Sequence, residues 1–267
     1  MNERAVAVVT GASSGIGAET ALAFARRGYA VVLAARRADR LEEVARRCRA
    51  CGGQATAVPT DVAGEREVDA LVAAAAAEHG RVDVMVNNAG QGLIARVHET
   101  SDRQMRRIFD VNFFGVFYGC KAVVPVMIRQ RSGHIFNLSS VIGKRGTPFH
   151  GAYCATKFAI CGLTDSMRVE LAAYNVRATC VCPATTRTEF FGHSEREQKA
   201  GRSFERFQHP TPASVVGRKI AATVGKPVPE LIFTAGGKLL TLIAALSPRL
   251  ADRMMKLYHD DLARSLT

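Results

Sequence analysis

A glycine-rich turn near the start of the sequence contains residues whose spacing suits anion binding. The segment Thr10-Gly11-Ala12-Ser13-Ser14-Gly15-Ile16-Gly17 follows an apolar run and precedes residues with helical spacing. Gly11 can adopt a positive φ at little cost, Gly15 lets the backbone approach a pyrophosphate, and Gly17 lets helix and strand pack closely. The helix N-terminus would offer unpaired N–H groups to phosphates. The turn predicts a nucleotide-binding site formed by Gly11, Ser13, Ser14, Gly15, Ile16 and Gly17. The alternative is an ordinary tight turn that binds no ligand.

The end of the second apolar run indicates whether the bound dinucleotide would be NAD or NADP. An NAD site usually has an acidic residue there, which binds the ribose 2′-hydroxyl. This chain reads Val32-Leu33-Ala34-Ala35-Arg36-Arg37 and has no carboxylate at Ala35. An arginine fork suits a 2′-phosphate. Arg36 and Arg37 therefore predict NADP(H) as the cofactor, unless they are ordinary surface arginines.

A tyrosine and a lysine share one helical face further along the chain. Tyr153 and Lys157 are four residues apart in Tyr153-Cys154-Ala155-Thr156-Lys157, so a helix would place both side chains on one side. Other polar residues follow apolar runs or interrupt a predicted helix. They are Asn88 in Asn87-Asn88-Ala89-Gly90, Asn112 in Asp110-Val111-Asn112, and the pair Ser139-Ser140.

The elements that must position these residues alternate between strand and helix. Short apolar runs predict strands at Ala5–Val9, Ala30–Ala35, Gln54–Val58, Val82–Val86, Gly133–Leu138, Val176–Val181 and Glu230–Thr234. Helical spacing predicts helices at Gly15–Gly28, Asp39–Ala50, Glu65–His79, within Asp102–Arg131, and at Tyr153–Tyr174.

This alternation predicts an α/β fold: a single Rossmann-type, doubly wound parallel sheet flanked by helices. Residues 1–235 are expected to form one dinucleotide-binding catalytic domain, with an irregular substrate loop at about 184–212. Residues 236–267 are expected to form a helical extension, divided at Pro248 and packed on the same domain. Ligands of such sheets bind beyond the carboxyl ends of the strands, where the polar residues above would meet.

Composition limits the classes of protein that fit. The chain has 267 residues, is 48% hydrophobic, and carries 36 basic against 24 acidic residues, a net charge of +12. The hydrophobic fraction excludes a wholly disordered chain. The positive charge raises nucleic-acid binding as an alternative, but the basic residues are dispersed in pairs such as Arg26-Arg27 and Arg46-Arg47. No nucleic-acid partner is expected; the charge predicts a solvated basic surface or arginines that meet an anionic ligand.

The seven cysteines are expected to be small core residues. Cys48 and Cys51 form a CxxC pair, but no second CxxC or HxxxH follows. A zinc site needs more ligands at suitable spacing, so no metal site is expected.

The ends of the chain bear on its location. Strand-like sequence begins at Ala5, and no stretch has the length of about 20 apolar residues that a transmembrane helix needs. A cytoplasmic location is expected. The tail from Gly236 to Arg264 mixes leucines and methionines with basic residues. Weak peripheral contact with a membrane surface is one possibility for it. Packing on the substrate loop or on a partner subunit is the other.

Four of these motifs in register with the predicted strands resemble the short-chain dehydrogenase/reductase family. The branch in question has T-G-x-x-x-G-x-G and Y-x-x-x-K, here Thr10–Gly17 and Tyr153–Lys157, together with Asn87–Gly90 and the serine pair. The resemblance covers about residues 4 to 190 in consistent order. It implies an oxidoreductase that transfers hydride between nicotinamide and a carbonyl or secondary alcohol, and Arg36 and Arg37 predict that its cofactor is NADP(H).

The resemblance also implies catalytic roles. Tyr153 would protonate the carbonyl oxygen, or act as base in the reverse direction. Lys157 would lower the tyrosine pKa from about 10 and hold the nicotinamide ribose. Ser140, thirteen positions before Tyr153, would hydrogen-bond the carbonyl, with Ser139 as its structural neighbour. Asn112 would anchor a water molecule in the proton relay to Lys157.

Further positions match the family's ligand contacts. Cofactor contacts are expected from Asp61 and Val62 beside the adenine, and from Asn88, Ala89, Gly90, Tyr153, Lys157, Pro183 and Thr188. The family's P-G-x-V-x-T segment reads Pro183-Ala184-Thr185-Thr186-Arg187-Thr188 here, so two positions depart from it. Substrate contacts are expected from Ser140, Ile142, His150, Tyr153 and Thr185, in a pocket with apolar walls.

Two other functions remain open on the same fold. One is a 3-oxoacyl-[acyl-carrier-protein] reductase, whose acidic partner could meet the basic surface. The other is a non-catalytic NADP-binding regulator, although Asn112, Ser140, Tyr153 and Lys157 are all present. The resemblance further implies a homodimer or homotetramer formed through the helices around Asp102–Arg131 and Tyr153–Tyr174.

Overall fold

A parallel sheet occupies the middle of the molecule. The structure is a computed structural model that describes residues 4–187 and 210–266. Its strands are β1 Val6–Thr10, β2 Ala30–Ala35, β3 Gln54–Pro59, β4 Val84–Asn87, β5 Gly133–Leu138, β6 Val176–Cys182, β7 Thr186–Arg187, β8 Thr211–Pro212 and β9 Glu230–Ile232. Seven of these form one parallel sheet in the order β3-β2-β1-β4-β5-β6-β9, while β7 and β8 pair separately. The predicted Rossmann-type fold is confirmed.

Helices cover both faces of this sheet. They are α1 Gly15–Ala25, α2 Ala38–Ala50, α3 Glu65–His79, α4 Asp102–Phe109, α5 Gly115–Gln130, α6 Gly151–Glu170, α7 Ala213–Thr223, α8 Ala235–Leu246 and α9 Pro248–Leu266. One core layer contains side chains of α1, α2 and α7, and the opposite layer contains side chains of α3, α5 and α6. Burial on both faces explains why strands such as β1 and β2 are continuous apolar runs.

Helix α4 continues into α5 through one π-helical turn, Asp110–Phe114. The run begins at Ser101, whose side chain and that of Gln104 form a reciprocal capping box. Within the described residues, Asp102–Gln130 is the one helical run long and apolar enough to cross a membrane by length and composition. Residues of α5 that include Val123 and Met127 pack against the sheet. The expectation that the chain has no transmembrane segment stays a prediction.

The contact between α5 and β4 leaves no room for a side chain at Gly119. A Cβ there would lie 2.0 Å from Oδ1 of Asn87. Gly162, on α6, is the opposite case, because a Cβ there would meet nothing within 4 Å. Only the first of these glycines is therefore needed for close approach of helix and sheet.

A buried histidine links the last strands of the sheet. The N–H of Gly225 donates to Nδ1 of His134 on β5 at 3.2 Å, so the opposite ring nitrogen carries the proton. That nitrogen, Nε2, lies 2.8 Å from Oγ1 of Thr179 on β6. Thr179 in turn donates to the carbonyl of Val228, two residues before β9. Burial and the nearby charge of Arg177 lower the pKa of His134 to about 3.

The C-terminal helices pack on loops near the carboxyl ends of the strands. Pro248 begins α9, as its position in the sequence predicts. Tyr258 and Leu262 of α9 are buried against Ile94 and Phe149. The Phe149 ring stacks on His259 with 5.3 Å between centroids. Arg145 also forms an ion pair with Asp252.

Some element boundaries differ from the sequence expectation. Strand β4 begins at Val84, α1 ends at Ala25, and α6 begins at Gly151 and ends at Glu170. The short β7–β8 ladder lies inside the segment predicted to be irregular. Most of the predicted substrate loop, including Phe190, Phe191, Phe204 and Phe207, lies outside the described residues.

Candidate active site

A cavity of about 690 Å³ lies beyond the carboxyl ends of the central strands. It is the expected location for a ligand on an open parallel sheet. The cavity wall contains most of the residues that the sequence singled out: Gly11, Ser13, Ser14, Gly15, Ile16, Arg36, Arg37, Asp61, Val62, Asn88, Ala89, Gly90, Ser140, Ile142, Tyr153, Lys157, Pro183 and Thr185. Gly17, Asn112 and His150 are not part of this wall. Thr188 lies outside the described residues.

The glycine-rich turn has little space for side chains. Gly11 has a φ of 65°, and a Cβ there would lie 2.8 Å from Cα of Ala89. Gly15 also has a positive φ, 56°. A Cβ on Gly17 would lie 2.3 Å from the carbonyl oxygen of Gly11. The turn therefore depends on glycine for both its backbone conformation and its tight packing.

Polar contacts fix the turn against the end of β4. Nδ2 of Asn88 donates to the carbonyls of Thr10 at 2.8 Å and Gly11 at 3.2 Å. The Thr10 hydroxyl accepts hydrogen bonds from the N–H groups of Asn88 and Ala89. Asn88 was predicted as a cofactor contact, and it lines the cavity. Its side chain is nevertheless used to hold the turn.

Arg37 extends across the outer part of the glycine-rich turn. Its Nη2 lies 3.1 Å from Oγ of Ser13 and 2.9 Å from Oγ of Ser14. Arg37 is exposed, and it lines the cavity with its neighbour Arg36. The cavity thus has a cationic end bordered by hydroxyl groups, which suits a phosphate. Asp61, on the same side of the cavity, accepts a hydrogen bond from the N–H of Ala63.

Tyr153 and Lys157 lie side by side in the inner part of the cavity. Nζ of Lys157 is 5.5 Å from the centroid of the Tyr153 ring, and it donates to the carbonyl of Leu138 at 2.7 Å. Burial lowers the pKa of Lys157 to about 8. Burial also raises the pKa of Tyr153 above its usual range. Lys157 was expected to lower the pKa of Tyr153, but in the protein alone the loss of hydration dominates. The tyrosine is therefore kept as a phenol, the form that can donate a proton.

Both serines after β5 line the cavity, but their hydroxyl groups have different partners. Ser140 lines the cavity, where its hydroxyl donates to the carbonyl of Pro183 at 3.3 Å. The hydroxyl of Ser139 donates to the carbonyl of Lys157 at 2.8 Å and lies 3.2 Å from Sγ of Cys161. Ser139 thus holds the helix that carries Lys157, whereas the Ser140 hydroxyl contacts the segment after β6.

Asn112 occupies the π-helical turn behind the cavity. It is fully buried, and its Oδ1 accepts from the N–H of Gln91 at 2.8 Å while its Nδ2 donates to the carbonyl of Gln91 at 2.9 Å. A Cβ on Gly90 would lie 3.3 Å from Oδ1 of Asn112 and 3.8 Å from Nζ of Lys157. Both polar atoms therefore adjoin the same small space beside Gly90.

Comparisons with known proteins agree with this geometry. The sequence pattern of the short chain dehydrogenase family matches residues 5–199. The chain belongs to the short-chain dehydrogenase/reductase family. It is similar to an uncharacterized oxidoreductase of Staphylococcus saprophyticus, with 36% identity over 83% of this chain and 90% of that protein.

Solved structures of the family have the same architecture. A short-chain dehydrogenase/reductase from Burkholderia phymatum in complex with NAD has a TM-score of 0.86 and 27% identity, covering 94% of this chain and 96% of that one. An alcohol dehydrogenase from Thermococcus sibiricus complexed with 5-hydroxy-NADP has a TM-score of 0.76 and 29% identity, covering 86% and 96%. The protein is therefore an oxidoreductase of the short-chain dehydrogenase/reductase family with a nicotinamide cofactor. The tight glycine turn and the polar inner end of the cavity fit that cofactor.

His150 is not among the residues of the cavity wall, and the substrate contact expected from its position three residues before Tyr153 stays a prediction. It is buried at the start of α6, and its Nδ1 lies 2.8 Å from the carbonyl of Pro148. Burial lowers its pKa to about 4, so it is neutral near pH 7. Its backbone carbonyl accepts from the N–H of Cys154. In this member of the family, His150 belongs to the entry of the helix that carries Tyr153.

Residues of the tail line the cavity, which the family motifs do not reveal. They come from α8 and α9 and are almost all apolar: Gly236, Leu239, Leu240, Met254, Met255, Leu257 and Tyr258. The helical spacing of apolar residues in this part of the sequence indicates helix faces that are covered by other residues. It does not show which part of the protein covers them. In the structure these residues pack over the cavity, whereas contact of the tail with a membrane or with a partner subunit stays a prediction.

Proposed function

We propose that this chain is an NADP(H)-dependent oxidoreductase that transfers hydride between nicotinamide and an apolar carbonyl compound or secondary alcohol. One arrangement carries the proposal. A single cavity has arginines at its outer end, Tyr153, Lys157 and Ser140 at its inner end, and apolar residues of α8 and α9 on its remaining wall. Cofactor, proton donor and an apolar reactant could therefore meet in one cavity.

The chemistry at the inner end follows from the protonation states. In reduction, the bound nicotinamide would supply a hydride to the carbonyl carbon. The C=O π electrons move to oxygen, which takes the proton of the Tyr153 hydroxyl. Burial keeps that hydroxyl protonated before reaction. The Ser140 hydroxyl would donate a hydrogen bond to the same oxygen and hold it in position.

Lys157 and Asn112 complete the proton path in this proposal. The ammonium group of Lys157 favours the phenolate once the proton has left Tyr153. The space beside Gly90 adjoins both Oδ1 of Asn112 and Nζ of Lys157. A water molecule there would link Lys157 to the exterior and allow Tyr153 to be reprotonated.

The preference for NADP(H) rests on the outer end of the cavity. The second strand ends in Ala35, which offers no carboxylate for a ribose 2′-hydroxyl. Arg37 lies over Ser13 and Ser14, and Arg36 adjoins it. A guanidinium and two hydroxyl groups are suited to bind a 2′-phosphate. Among the solved relatives, one holds NAD and another a hydroxylated NADP, so the family alone does not decide this point.

Further properties remain predictions. Exposed aromatic side chains on α5 and α6, including Phe117 and Phe158, support a homodimer or homotetramer formed through these helices. We also expect a cytoplasmic location, no nucleic-acid partner, and weak peripheral contact of the tail with a membrane.

Replacing the proposed proton donor tests the function. Purified protein is assayed with NADPH or NADH against aliphatic, aromatic, steroid and 3-oxoacyl carbonyls. Tyr153→Phe should reduce kcat by at least about 100-fold, since positioned acid catalysis contributes about 10²–10⁴, while NADPH binding measured by fluorescence is retained. Tyr174→Phe is the matched control, because Tyr174 lies outside the cavity wall, and it should keep full activity.

Other outcomes contradict specific parts of the proposal. Full activity in Tyr153→Phe would exclude the assigned proton donor. Turnover confined to 3-oxoacyl thioesters on a carrier protein would favour the reductase of that class. NADPH binding without turnover of any carbonyl in the panel would favour a non-catalytic regulator. Failure to bind either dinucleotide would contradict the assignment of the glycine-rich turn.

A further inference from the structure

Three cysteines converge behind the catalytic helix. Cys161 is on α6, whereas Cys180 and Cys182 are on the same face of β6. Sγ of Cys180 lies 3.6 Å from Sγ of Cys161 and 3.7 Å from Sγ of Cys182, and all three sulfur atoms lie within 4.8 Å of one another. All three side chains are buried. Among the described residues, no other group of three metal-ligating side chains comes this close.

The spacing of these atoms matches a tetrahedral metal site. Sulfur ligands about 2.3 Å from a zinc ion lie about 3.8 Å apart in a tetrahedron. A fourth ligand is available, because Oε1 of Glu230 lies 3.1 Å from Sγ of Cys182. Glu230 is on β9, the strand next to β6. The donor set would be three thiolates and one carboxylate, a set that suits thiophilic divalent ions.

The surroundings provide compensating charge and a route of entry. Nζ of Lys144 lies 2.9 Å from Oε1 of Glu230, and both side chains are partly exposed. Movement of this ion pair would open the carboxylate side of the cluster to solvent. The Lys144 ammonium would then offset part of the negative charge of the thiolates.

We propose that Cys161, Cys180, Cys182 and Glu230 form a binding site for a thiophilic divalent d¹⁰ metal ion, Zn²⁺ or Cd²⁺. On binding, each S–H bond breaks and three protons leave to solvent, while three metal–sulfur bonds and one metal–oxygen bond form. No electron is transferred. These cysteines were predicted to be core residues, and the cluster leaves no sequence signal because Cys161 and Glu230 are distant in sequence from Cys180 and Cys182.

The site adjoins the catalytic residues without including them. Cys161 lies one helical turn after Lys157, and Ser139 contacts both the Lys157 carbonyl and the sulfur of Cys161. A bound ion would join α6 to β6 and β9 beneath the cavity. The expected role is to fix the helix that carries Tyr153 and Lys157 against the sheet.

Cadmium titration of the reduced protein tests the site. We expect thiolate-to-cadmium absorption that saturates at one ion per chain. At about 100-fold excess over Kd, the midpoint of thermal unfolding should rise by about 5–10 °C. Cys161→Ser and Cys182→Ser should each weaken binding by at least about 100-fold, more than the loss of an outer-shell partner.

Two controls separate this cluster from other thiols. Cys154→Ser removes a buried cysteine of the same helix, and Cys51→Ser breaks the CxxC pair at the end of α2. Both variants should bind cadmium like the unaltered protein. Loss of binding in Cys51→Ser with retention in Cys161→Ser would overturn the proposal, as would absence of thiolate absorption in the unaltered protein.

A measurement without substitutions covers the case in which the serine variants do not fold. X-ray absorption of the zinc-loaded, unaltered protein should show three sulfur atoms at about 2.3 Å and one oxygen at about 2.0–2.2 Å. Two sulfur ligands, or no zinc retained after dialysis, would overturn the proposal. None of these readouts requires catalytic turnover, so the site and the proposed function can fail separately.

Discussion

The guanidinium of Arg37 lies at 2.9–3.1 Å from two serine hydroxyls beside the glycine-rich turn. If this end of the cavity binds a 2′-phosphate, Arg37→Ala should raise KM for NADPH about 10–100-fold, because a hydrogen bond to a charged group contributes about 1.5–3 kcal/mol. The KM for NADH should change little. Steady-state kinetics with both dinucleotides would measure the difference.

Arg46→Ala provides the comparison for Arg37→Ala. Arg46 is also an exposed arginine, on α2, and it does not line the cavity. Loss of NADPH affinity in both variants would point to a general effect of surface charge. An equal loss for NADH and NADPH in Arg37→Ala would argue against a phosphate contact.

Residue types and spacing predicted much of the candidate site. The properties that they could not predict depend on how the whole chain packs around the cavity. Tyr153, Lys157 and Ser140 follow from local motifs that fix their positions on one helix and one strand end. The pKa of Tyr153 does not follow, because it depends on how much water the whole cavity wall excludes. Likewise, Leu239 and Leu257 could be assigned to the cavity only once the packing of the tail was known.

At the level of elements, His134 joins β5 to β6 and to the turn before β9. Burial lowers its pKa to about 3, against about 6.5 when unfolded. As pH falls from 6.5, the unfolded chain binds a proton that the folded chain does not. Stability is therefore lost progressively between about pH 6.5 and 3. His134→Gln should weaken the pH dependence of the free energy of unfolding in this range, as measured by urea unfolding at several pH values.

His98→Gln is the control, since His98 is exposed. It should leave the acid profile unchanged. If His134→Gln keeps the same slope between pH 6.5 and 4, the neutral histidine contributes little and the acid sensitivity has another source.

Two glycines give opposite expectations for the same substitution. Gly119→Ala forces a Cβ to within 2.0 Å of the Asn87 side chain and should destabilise the protein by about 1–3 kcal/mol or more. Gly162→Ala meets open space on α6 and should stabilise it by up to about 1 kcal/mol, since alanine favours helix. Chemical denaturation of both variants measures the signs. Equal effects would contradict the close contact of α5 with β4.

Strands and helices could be predicted where their burial produces a recognisable pattern of apolar residues in the sequence. Strands buried on both faces are continuous apolar runs, so β1, β2 and β5 were found within a residue or two. The π-helical turn at Asp110–Phe114 was not, because its apolar spacing resembles that of the helices around it. The two-residue β7 and β8 are too short to produce any period.

At the scale of the whole molecule, the exposed aromatic residues of α5 and α6 predict an interface between copies of the chain. Introducing charge through Phe117→Lys together with Phe158→Lys should convert the assembly to monomers, because two desolvated charges would face their own copies across the interface. Light scattering after size-exclusion chromatography gives the mass. Leu246→Lys, which changes a 76% exposed residue of α8, should leave the mass unchanged.

Either of two results would contradict this assignment of the interface. One is an unaltered protein that is already monomeric. The other is dissociation by Leu246→Lys with an intact assembly in the double α5–α6 variant, which would place the interface on the tail.

The order of strands in the sheet has a consequence for synthesis on the ribosome. β1 pairs with β2 on one side and with β4 on the other. At about 5–20 residues per second, the chain between Thr10 and Val84 takes about 4–15 s to emerge. During that interval β1, an interior strand of the finished sheet, has an open edge, rich in valine, that could pair with a neighbouring nascent chain. Slower translation over this stretch would extend the exposure, so codon choice between β1 and β4 should affect how much of the protein escapes aggregation.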